Sequence, residues 1–221
     1  MFKRCSRRSF LSGVVGAGAA SVLNFGGSRL HAGSASELFA GEAVVDTTPP
    51  LGIEMAGFHR AAGNERRIQR IRQPTAARAL VLRLGNAQAA IISLDICGVS
   101  SEMTARVQRR VAKQSGIPAP HVRLCATHTH SMPTFRFFRQ WGAISPDYMA
   151  AVEAKVVEAV DKAMADMAPA ALFLGKCQAP GASNNRTTKT WLTDDQFTRD
   201  SVPEDRWLDT MVHTLHFERA T

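Results

Sequence analysis

Apolar and polar positions along the chain follow two periods, one typical of strands and one of helices. Two short apolar segments, residues 79–84 and 89–95, flank a Gly-Asn pair, which predicts two strands joined by a turn. Residues 102–115 place apolar side chains three to four positions apart among arginines and lysines. This spacing predicts an amphipathic helix.

A second, longer helix is predicted for residues 146–168. Ser145 suits the N-cap, Pro146 suits the first helical position, and Pro169 follows the end. The order of elements predicts an α/β fold, with a largely buried mixed sheet flanked by helices. A polar loop is expected at residues 184–205, and further short strands are expected at residues 42–46, 122–126, 171–176 and 211–217.

The basic excess of the chain is concentrated at its N-terminus. Residues 1–32 hold five of the 27 Lys and Arg residues and none of the 19 Asp and Glu residues, so the rest carries only about +3 of the net +8. This distribution argues against a nucleic-acid partner. Arg7-Arg8 followed by Phe10-Leu11 and a Gly/Ala-rich apolar run is typical of a twin-arginine signal peptide. We therefore expect export to the periplasm or the extracellular space, with a linker at residues 33–41 and the functional segment at residues 42–221.

The cysteines do not form a recognisable framework. Outside the predicted signal the chain has Cys97, Cys125 and Cys177, an odd number without C-x-x-C spacing. Cys97 and Cys125 lie in apolar strand patterns, where a small buried thiol is the simplest interpretation. One pair could still bridge in an oxidising compartment.

Residues 127–131, T-H-T-H-S, carry the clearest candidate chemistry. Side chains two apart on a strand point to the same face, so His128 and His130 are expected to present two imidazoles to one point. They follow an apolar strand, where sites in α/β sheets commonly lie. Because imidazole pairs favour zinc, the pattern indicates a metal site.

The same segment resembles a known family. Residues 124–133 are similar to the G-T-H-T-H-S-G-P signature of neutral/alkaline non-lysosomal ceramidases, and other blocks agree in order along residues 42–218. These blocks are residues 45–58, similar to D-I-T-P…M-x-G-Y; residues 77–82 and 93–100, similar to A-R-A-L-V-L and S-L-D-x-x-G-x-S; residues 184–187, similar to N-R-S; and residues 206–217, similar to V-D…L-x-F.

The resemblance implies a single zinc ion that activates water or a nucleophile for hydrolysis of the N-acyl bond of ceramide, a lipid-like amide. It implies that His128 is the first zinc ligand and that His130 either binds zinc or orients the site. It also implies that Arg186 lies at the active site, where a guanidinium could stabilise a developing oxyanion.

The resemblance also implies that the chain is the N-terminal part of the catalytic domain. In the family a second zinc histidine, the serine nucleophile, and a glutamate and a tyrosine ligand follow the region matched here. We therefore keep three alternatives: a zinc hydrolase, a non-catalytic metal- or lipid-binding remnant, and a fragment completed by a separately encoded C-terminal portion.

Several other residues are open to two interpretations. Asp95 could support the site as an acceptor or ligand, whereas His59, His121, His213 and His216 are expected to be ordinary exposed or packed histidines. The basic run of residues 66–72 is expected to be a solvated loop. The aromatic residues of 135–141 could line an acyl-chain groove, contact a membrane surface, or pack in the core.

Overall fold

The computed structural model describes residues 37–219. The predicted signal peptide, residues 1–32, and residues 33–36 of the predicted linker lie outside the described residues. The described chain divides into two compact units, one formed by residues 37–171 with Arg219 and the other by Leu172–Glu218. None of the helices between residues 37 and 219 is long and apolar enough to cross a membrane.

The first unit is built on a mixed sheet, as predicted. Its strand order is β4-β3-β2-β1-β5, in which β3 and β4 run parallel and the other neighbours run antiparallel. The strands are β1 (Leu38–Asp46), β2 (Ala76–Leu84), β3 (Ala87–Leu94), β4 (Val122–Ala126) and β5 (Ala168–Gln178), of which the first residues of β5 belong to this unit. The predicted turn between β2 and β3 is confirmed.

Two helices pack against this sheet. Helix α1 (Ser101–Ser115) begins where Ser100 Oγ accepts a hydrogen bond from Met103 N at 3.1 Å, and helix α2 (Pro146–Ala165) begins after Ser145. Ser145 occupies the N-cap position and Pro146 the first turn, as predicted, although the Ser145 side chain makes no capping hydrogen bond. Arg106 of α1 contacts the buried carboxylate of Glu153 on α2 through Nε at 3.0 Å. This ion pair joins the two helices.

The boundaries of several elements differ from the prediction, and packing explains two of these differences. β1 begins at Leu38, so residues 38–41, assigned to a linker because residues 33–41 are mostly small, are strand instead. Gly41 is small for a packing reason: a Cβ there would overlap Ala163 O on α2. Helix α2 ends at Ala165 rather than at residue 168, because Ala168 already pairs with Ala40 of β1.

The helices cover one face of the sheet. Alternate strand residues on this face are buried and form one core with α1 and α2: Ala77, Ala79, Val81, Ala90, Ile92, Leu94, Val122 and Leu124. The opposite face is partly open, since Val44 is 65% exposed and Ile91 is 39% exposed. The α/β class is therefore confirmed, and the sheet is buried on one side.

The second unit contains the rest of β5 and strand β6 (Met211–Arg219, to Glu218 in this unit). Ala179 N donates to Thr210 O at 2.9 Å, which continues the backbone pairing beyond β5. The polar segment between the strands contains two short 3₁₀ turns, Asp194–Gln196 and Pro203–Arg206. Among the described residues 172–218, Asp205 is the fully buried one, and Thr190 Oγ1 donates to its carboxylate.

Candidate metal site

The two central histidines lie in a turn beyond the end of the sheet. Strand β4 ends at Ala126, and His128 adopts φ +58°, in the left-handed region that strands do not contain. Histidine is one of the residue types that tolerate this conformation, and single residues held there concentrate at functional sites.

The structure brings the two predicted metal ligands together. Nε2 of His128 and Nε2 of His130 lie 3.3 Å apart, and the ring centroids are 4.9 Å apart. The expected convergence is present, but the reason given for it was wrong. The alternation of strand side chains stops before His128, so the turn conformation, and not the pleat, points both rings to one place.

Cys97 fixes the orientation of the first histidine. Its carbonyl oxygen lies 2.7 Å from His128 Nδ1, and since a carbonyl can only accept, Nδ1 carries the proton. Nε2 of His128 then faces His130. Cys97 N donates in turn to Pro133 O at 3.0 Å, which ties the end of β3 to the histidine loop.

The Cys97 thiol faces the same point as the imidazoles. The Sγ atom and the two imidazole ligand atoms all lie within 4.8 Å of one another. The residue is fully buried, and burial raises the pKa of its thiol above the ordinary value. The prediction that Cys97 is a buried thiol is confirmed, but its position beside the imidazoles was missed, and the same prediction for Cys125 was wrong because Cys125 is exposed.

A second loop supports His130 from the other side. Arg66 Nη2 donates to His130 O at 3.1 Å, and its guanidinium lies 4.9 Å from the centre of the Phe58 ring. The Phe58 ring meets the His130 ring edge-on at 5.0 Å. Gly57 leaves the space that this ring needs, since a Cβ on Gly57 would lie 2.5 Å from His130 Cβ. The prediction of a solvated loop is thus confirmed for the exposed Arg67, Arg70 and Arg72, whereas Arg66 is half-buried against the histidine loop.

Aromatic side chains form a wall beside the histidines. Trp141 lies 5.6 Å from His130 and 6.4 Å from His128, measured between ring centroids. His59 and Phe138 contact the same indole at 5.9 and 4.9 Å. His59 is thus close to the site, which its position in a loop did not indicate.

The aromatic residues of 135–141 do not all have the same environment. Phe135 is buried and packs against Tyr148 at 5.5 Å, as a core residue does. Phe137 is 75% exposed, while Phe138 joins the wall around Trp141. Core packing and surface exposure therefore both occur within four residues.

The other sequence candidates lie elsewhere. Asp95 Oδ2 accepts from Arg78 Nη1 at 2.7 Å and from Ala76 N at 3.1 Å, so its carboxylate is bound to β2 instead of the histidines. His121 Nδ1 contacts Gln88 O at 2.9 Å on the surface. His213 and His216 are exposed on β6 in the second unit. Arg186 belongs to that unit too, and its role at the site stays a prediction.

The grouped donors suit a transition-metal ion. In the described part of the chain, the residues placed to share one cation are Cys97, His128 and His130. Imidazole and thiolate favour ions such as zinc, copper and nickel, whereas magnesium and calcium prefer oxygen donors. The arrangement can therefore hold a borderline or soft divalent metal.

Comparison with known proteins identifies the family. Residues 39–221 match the family described as "Neutral/alkaline non-lysosomal ceramidase, N-terminal". The chain belongs to the neutral/alkaline non-lysosomal ceramidase family. Ceramidases are hydrolases, and those of the neutral class are metal-dependent, in agreement with the donor cluster. A search of curated protein sequences finds no significant match.

Solved ceramidase structures share the fold. The neutral ceramidase from Pseudomonas aeruginosa matches with a TM-score of 0.66 and 21% identity over 85% of this chain and 30% of that chain. A structure described as "Ceramidase complexed with C2" matches with a TM-score of 0.63 and 20% identity, over 84% of this chain and 29% of that one. The chain thus spans about 30% of the length of the ceramidases that it resembles in structure.

Proposed function

We propose that this chain forms the N-terminal part of the active site of an exported, zinc-dependent hydrolase that cleaves the N-acyl amide bond of ceramide-like lipids. Membership of the ceramidase family supports the class of reaction. The observation that carries the metal part is the approach of the two Nε2 atoms of His128 and His130 to 3.3 Å.

Zinc fits this separation. Two imidazole nitrogens bound at 2.0–2.1 Å to a tetrahedral zinc ion lie about 3.3–3.4 Å apart. The His128 and His130 nitrogens already lie 3.3 Å apart, so the pair needs little movement to bind. When bound, zinc polarises the amide carbonyl and makes water more acidic.

The chain's own residues prepare the imidazoles for this task. The Cys97 carbonyl accepts the Nδ1 proton of His128, which fixes the tautomer and increases the basicity of Nε2. Arg66 holds the His130 backbone in place. These contacts keep the site organised before substrate arrives, which lowers the cost of reorganisation.

A lipid-like substrate suits the surroundings of the site. Phe138 and Trp141 of the aromatic wall, together with the Phe58 ring on the second loop, offer apolar surface to an acyl chain beside the histidines. The exposed ring of Phe137 supports a peripheral contact with a membrane surface. Family resemblance supports Arg186 as the group that stabilises negative charge developing on the amide oxygen.

Export rests on the sequence of residues 1–32, with Arg7 and Arg8 as the recognised pair. Fractionation of the producing cells tests this proposal. Replacement of both arginines by lysine should retain the protein in the cytoplasm, and unchanged export of that variant would contradict the twin-arginine route.

Zinc content and turnover test the catalytic proposal together. We expect the full chain to bind one zinc ion, and His128→Ala to abolish binding. His121→Ala, which removes an exposed histidine remote from the cluster, is the matched control and should retain zinc. Hydrolysis of a fluorogenic ceramide analogue should follow zinc content, and Arg186→Ala should reduce turnover while zinc content stays unchanged.

The outcomes separate the alternatives. Equal zinc content in His128→Ala and the unmodified chain would refute the proposed metal site. Zinc binding without turnover would favour a non-catalytic remnant or a catalytic unit completed by a separately encoded C-terminal portion. The DNA adjacent to the coding sequence distinguishes these two cases.

A further inference from the structure

We propose that a cationic cleft beside the histidine turn binds a phosphate group, and that the lipid amide cleaved by the proposed hydrolase carries this group on its polar head. The cleft lies between the loop of residues 67–75 and the histidine segment, residues 127–132, and it measures about 620 Å³. All of its lining residues belong to the first unit. The inference rests on the proposed function and narrows its substrate to anionic amides.

The walls of the cationic cleft carry a net positive charge. Its charged lining residues are four arginines, Arg67, Arg70, Arg72 and Arg78, and one acid, Asp95, so the net charge is +3. Asp95 is already paired with Arg78 at 2.7 Å. Within residues 37–219, neither Arg70 nor Arg72 has an ion-pair partner. An anion that enters the cleft therefore meets two guanidinium groups that no described carboxylate neutralises.

Backbone hydrogen bonds fix the arginine loop at both ends. Ile68 is buried, and its backbone N donates to Ile53 O at 2.9 Å while its carbonyl accepts from Gly52 N at 2.8 Å. At the other end, Thr75 N donates to Thr48 Oγ1 at 3.1 Å. Because the exposed arginines lie between these two anchors, less backbone freedom is lost when an anion binds.

Hydroxyl groups line the opposite wall of the cationic cleft. They belong to Thr127, Thr129 and Ser131. The Thr129 hydroxyl accepts from Ser131 N at 3.3 Å, and this bond does not use the hydroxyl proton, which can be donated to a ligand. Guanidinium and hydroxyl donors thus face each other, and a phosphate has more acceptor oxygens than a carboxylate to meet both walls. The donors therefore favour phosphate.

Apolar side chains complete the cationic cleft. Met55 and Met132 line it together with Ile71, which is exposed between the two unpaired arginines. These side chains can contact the carbon chain that carries the phosphate. The volume also exceeds what an inorganic ion needs, since sites for organic ligands typically measure about 300–1,000 Å³. The cleft therefore suits a phosphate on an amphiphile better than free phosphate.

One short segment joins the cationic cleft to the metal site. Thr129, whose side chain lines the cleft, lies between His128 and His130, and consecutive Cα atoms are only about 3.8 Å apart. The hydroxyls of the cleft and the imidazoles of the metal site thus occupy alternate positions of the same segment. We therefore assign the phosphate to the polar head of the amide that is cleaved at the imidazoles.

Ligand binding to the metal-free chain tests the phosphate site separately from catalysis. A chelator removes zinc, so that phosphate cannot bind to the metal, and calorimetric titration compares a short-chain ceramide phosphate, the matching ceramide and inorganic phosphate. We expect ceramide phosphate to bind about tenfold or more tightly than ceramide, because it adds charge-assisted hydrogen bonds. Inorganic phosphate should bind more weakly than ceramide phosphate, and the affinity for ceramide phosphate should fall as ionic strength rises.

A double variant, Arg70→Gln with Arg72→Gln, removes the two unpaired charges. It should weaken binding of ceramide phosphate by about tenfold or more and leave binding of ceramide unchanged. Arg109→Gln with Arg110→Gln is the matched control, since these two arginines are exposed on α1 and do not line the cationic cleft. Circular dichroism and zinc content check that both double variants fold.

Turnover of the zinc-loaded chain tests the assignment of the phosphate to the substrate. The phosphorylated amide should have the higher kcat/KM, and the variant of Arg70 and Arg72 should lose this preference through an increase in KM. Equal kcat/KM values for the two ceramides would overturn the substrate assignment. Inorganic phosphate that binds as tightly as ceramide phosphate would overturn it too, as would arginine-dependent binding to phosphatidylglycerol vesicles without binding of ceramide phosphate.

The results discriminate this inference from the proposed function. Equal binding of the two ceramides, or binding of ceramide phosphate that the variant of Arg70 and Arg72 retains, would overturn the phosphate site and leave the zinc hydrolase intact. Arginine-dependent binding of ceramide phosphate without turnover of either ceramide would contradict the hydrolase and retain the phosphate site. If the variant misfolds, the salt dependence of ceramide phosphate binding to the unmodified chain decides, and an affinity independent of salt would overturn the phosphate site.

Discussion

The helix-covered core and the histidine loops of the same unit are held together in different ways. The core consists of apolar side chains at strand and helix spacing, such as Ile92 on β3 and Val107 on α1, which are fully buried. The site consists of three loop segments, residues 55–66, 96–99 and 128–141, joined mainly by backbone hydrogen bonds. One of these bonds runs from Ala56 N to Met132 O at 2.9 Å.

Because of this difference, the core mainly determines the stability of the unit, whereas the loops determine the geometry of the histidine site. Burial of apolar area is non-directional, so the core tolerates changes of shape at a cost in free energy. The loops need particular backbone angles and close approaches, such as φ +58° at His128 and the contact of Gly57 with the His130 ring. We therefore expect core substitutions to change the free energy of unfolding, and loop substitutions to change metal affinity.

The largest expected effect is in the core. Ile92→Ala removes a fully buried side chain and should lower the free energy of unfolding by about 2–5 kcal/mol, because it leaves a cavity as well as losing buried apolar area. Ile91→Ala is the matched control, since this neighbour on the open face is 39% exposed and should cost about 1 kcal/mol or less. Denaturant unfolding measures both.

Metal affinity sharpens this comparison. If the core acts only through stability, the folded fraction of Ile92→Ala should bind zinc with the affinity of the unmodified chain. A large loss of affinity in the folded protein would show that the core also sets the geometry of the histidines. Equal losses of stability in the two variants would contradict the assignment of the buried face.

The next effect concerns a glycine in the loops. Gly57→Ala places a Cβ 2.5 Å from His130 Cβ, on a backbone with φ +108°, and should displace the imidazole. We expect zinc affinity to fall by about 10- to 100-fold, as it does when a group that orients a ligand is lost. Isothermal titration with zinc measures this loss.

Gly63→Ala controls for the backbone alone. Gly63 has φ +87°, and no atom lies within 4 Å of the position that a Cβ would take, so alanine there introduces strain without a clash. It should reduce stability and leave zinc affinity unchanged. If both variants lose affinity equally, loop strain and not the overlap with His130 controls the site.

Much of the fold was predictable because the spacing of apolar residues indicates which face of a helix or strand is buried. The spacing of Met103, Val107 and Val111 predicted α1, and all three are buried. The paired apolar segments predicted β2 and β3 and the turn between them. Boundaries were less accurate where long-range packing decides them, as at Gly41 and at the end of α2.

The candidate site was predictable only in part. The adjacent histidines could be recognised, since two imidazoles in one short motif are visible in the chain. Cys97, Gly57 and Trp141 reach them from segments distant in sequence, through loop backbone bonds that leave no periodic pattern. Even the meeting of His128 and His130 depends on a left-handed residue that strand alternation does not anticipate.

The smallest expected effect distinguishes two adjacent arginines. Arg66 donates to His130 O and lies over the Phe58 ring, whereas the exposed Arg67 donates to Gly52 O at 3.1 Å. Arg66→Ala removes the hydrogen bond to His130 O, a longer hydrogen bond from Nη1 to Ala56 O at 3.4 Å, and the cation–π contact with Phe58, together worth about 1–2 kcal/mol or less at a half-buried position. Part of this free energy affects the stability of the loop rather than metal binding, so zinc affinity should fall by less than about tenfold, which corresponds to about 1.4 kcal/mol.

Arg67→Ala is the matched control, and Arg66→Lys isolates the contribution of the guanidinium plane. We expect Arg67→Ala to bind zinc with the affinity of the unmodified chain. The zinc affinity of Arg66→Lys should lie between those of the unmodified chain and Arg66→Ala, because an ammonium retains the charge but loses the planar contact with Phe58. If Arg66→Ala and Arg67→Ala bind equally well, the second loop does not hold His130 in position. Gly57→Ala would then be the remaining evidence that the loops, and not the core, determine metal affinity.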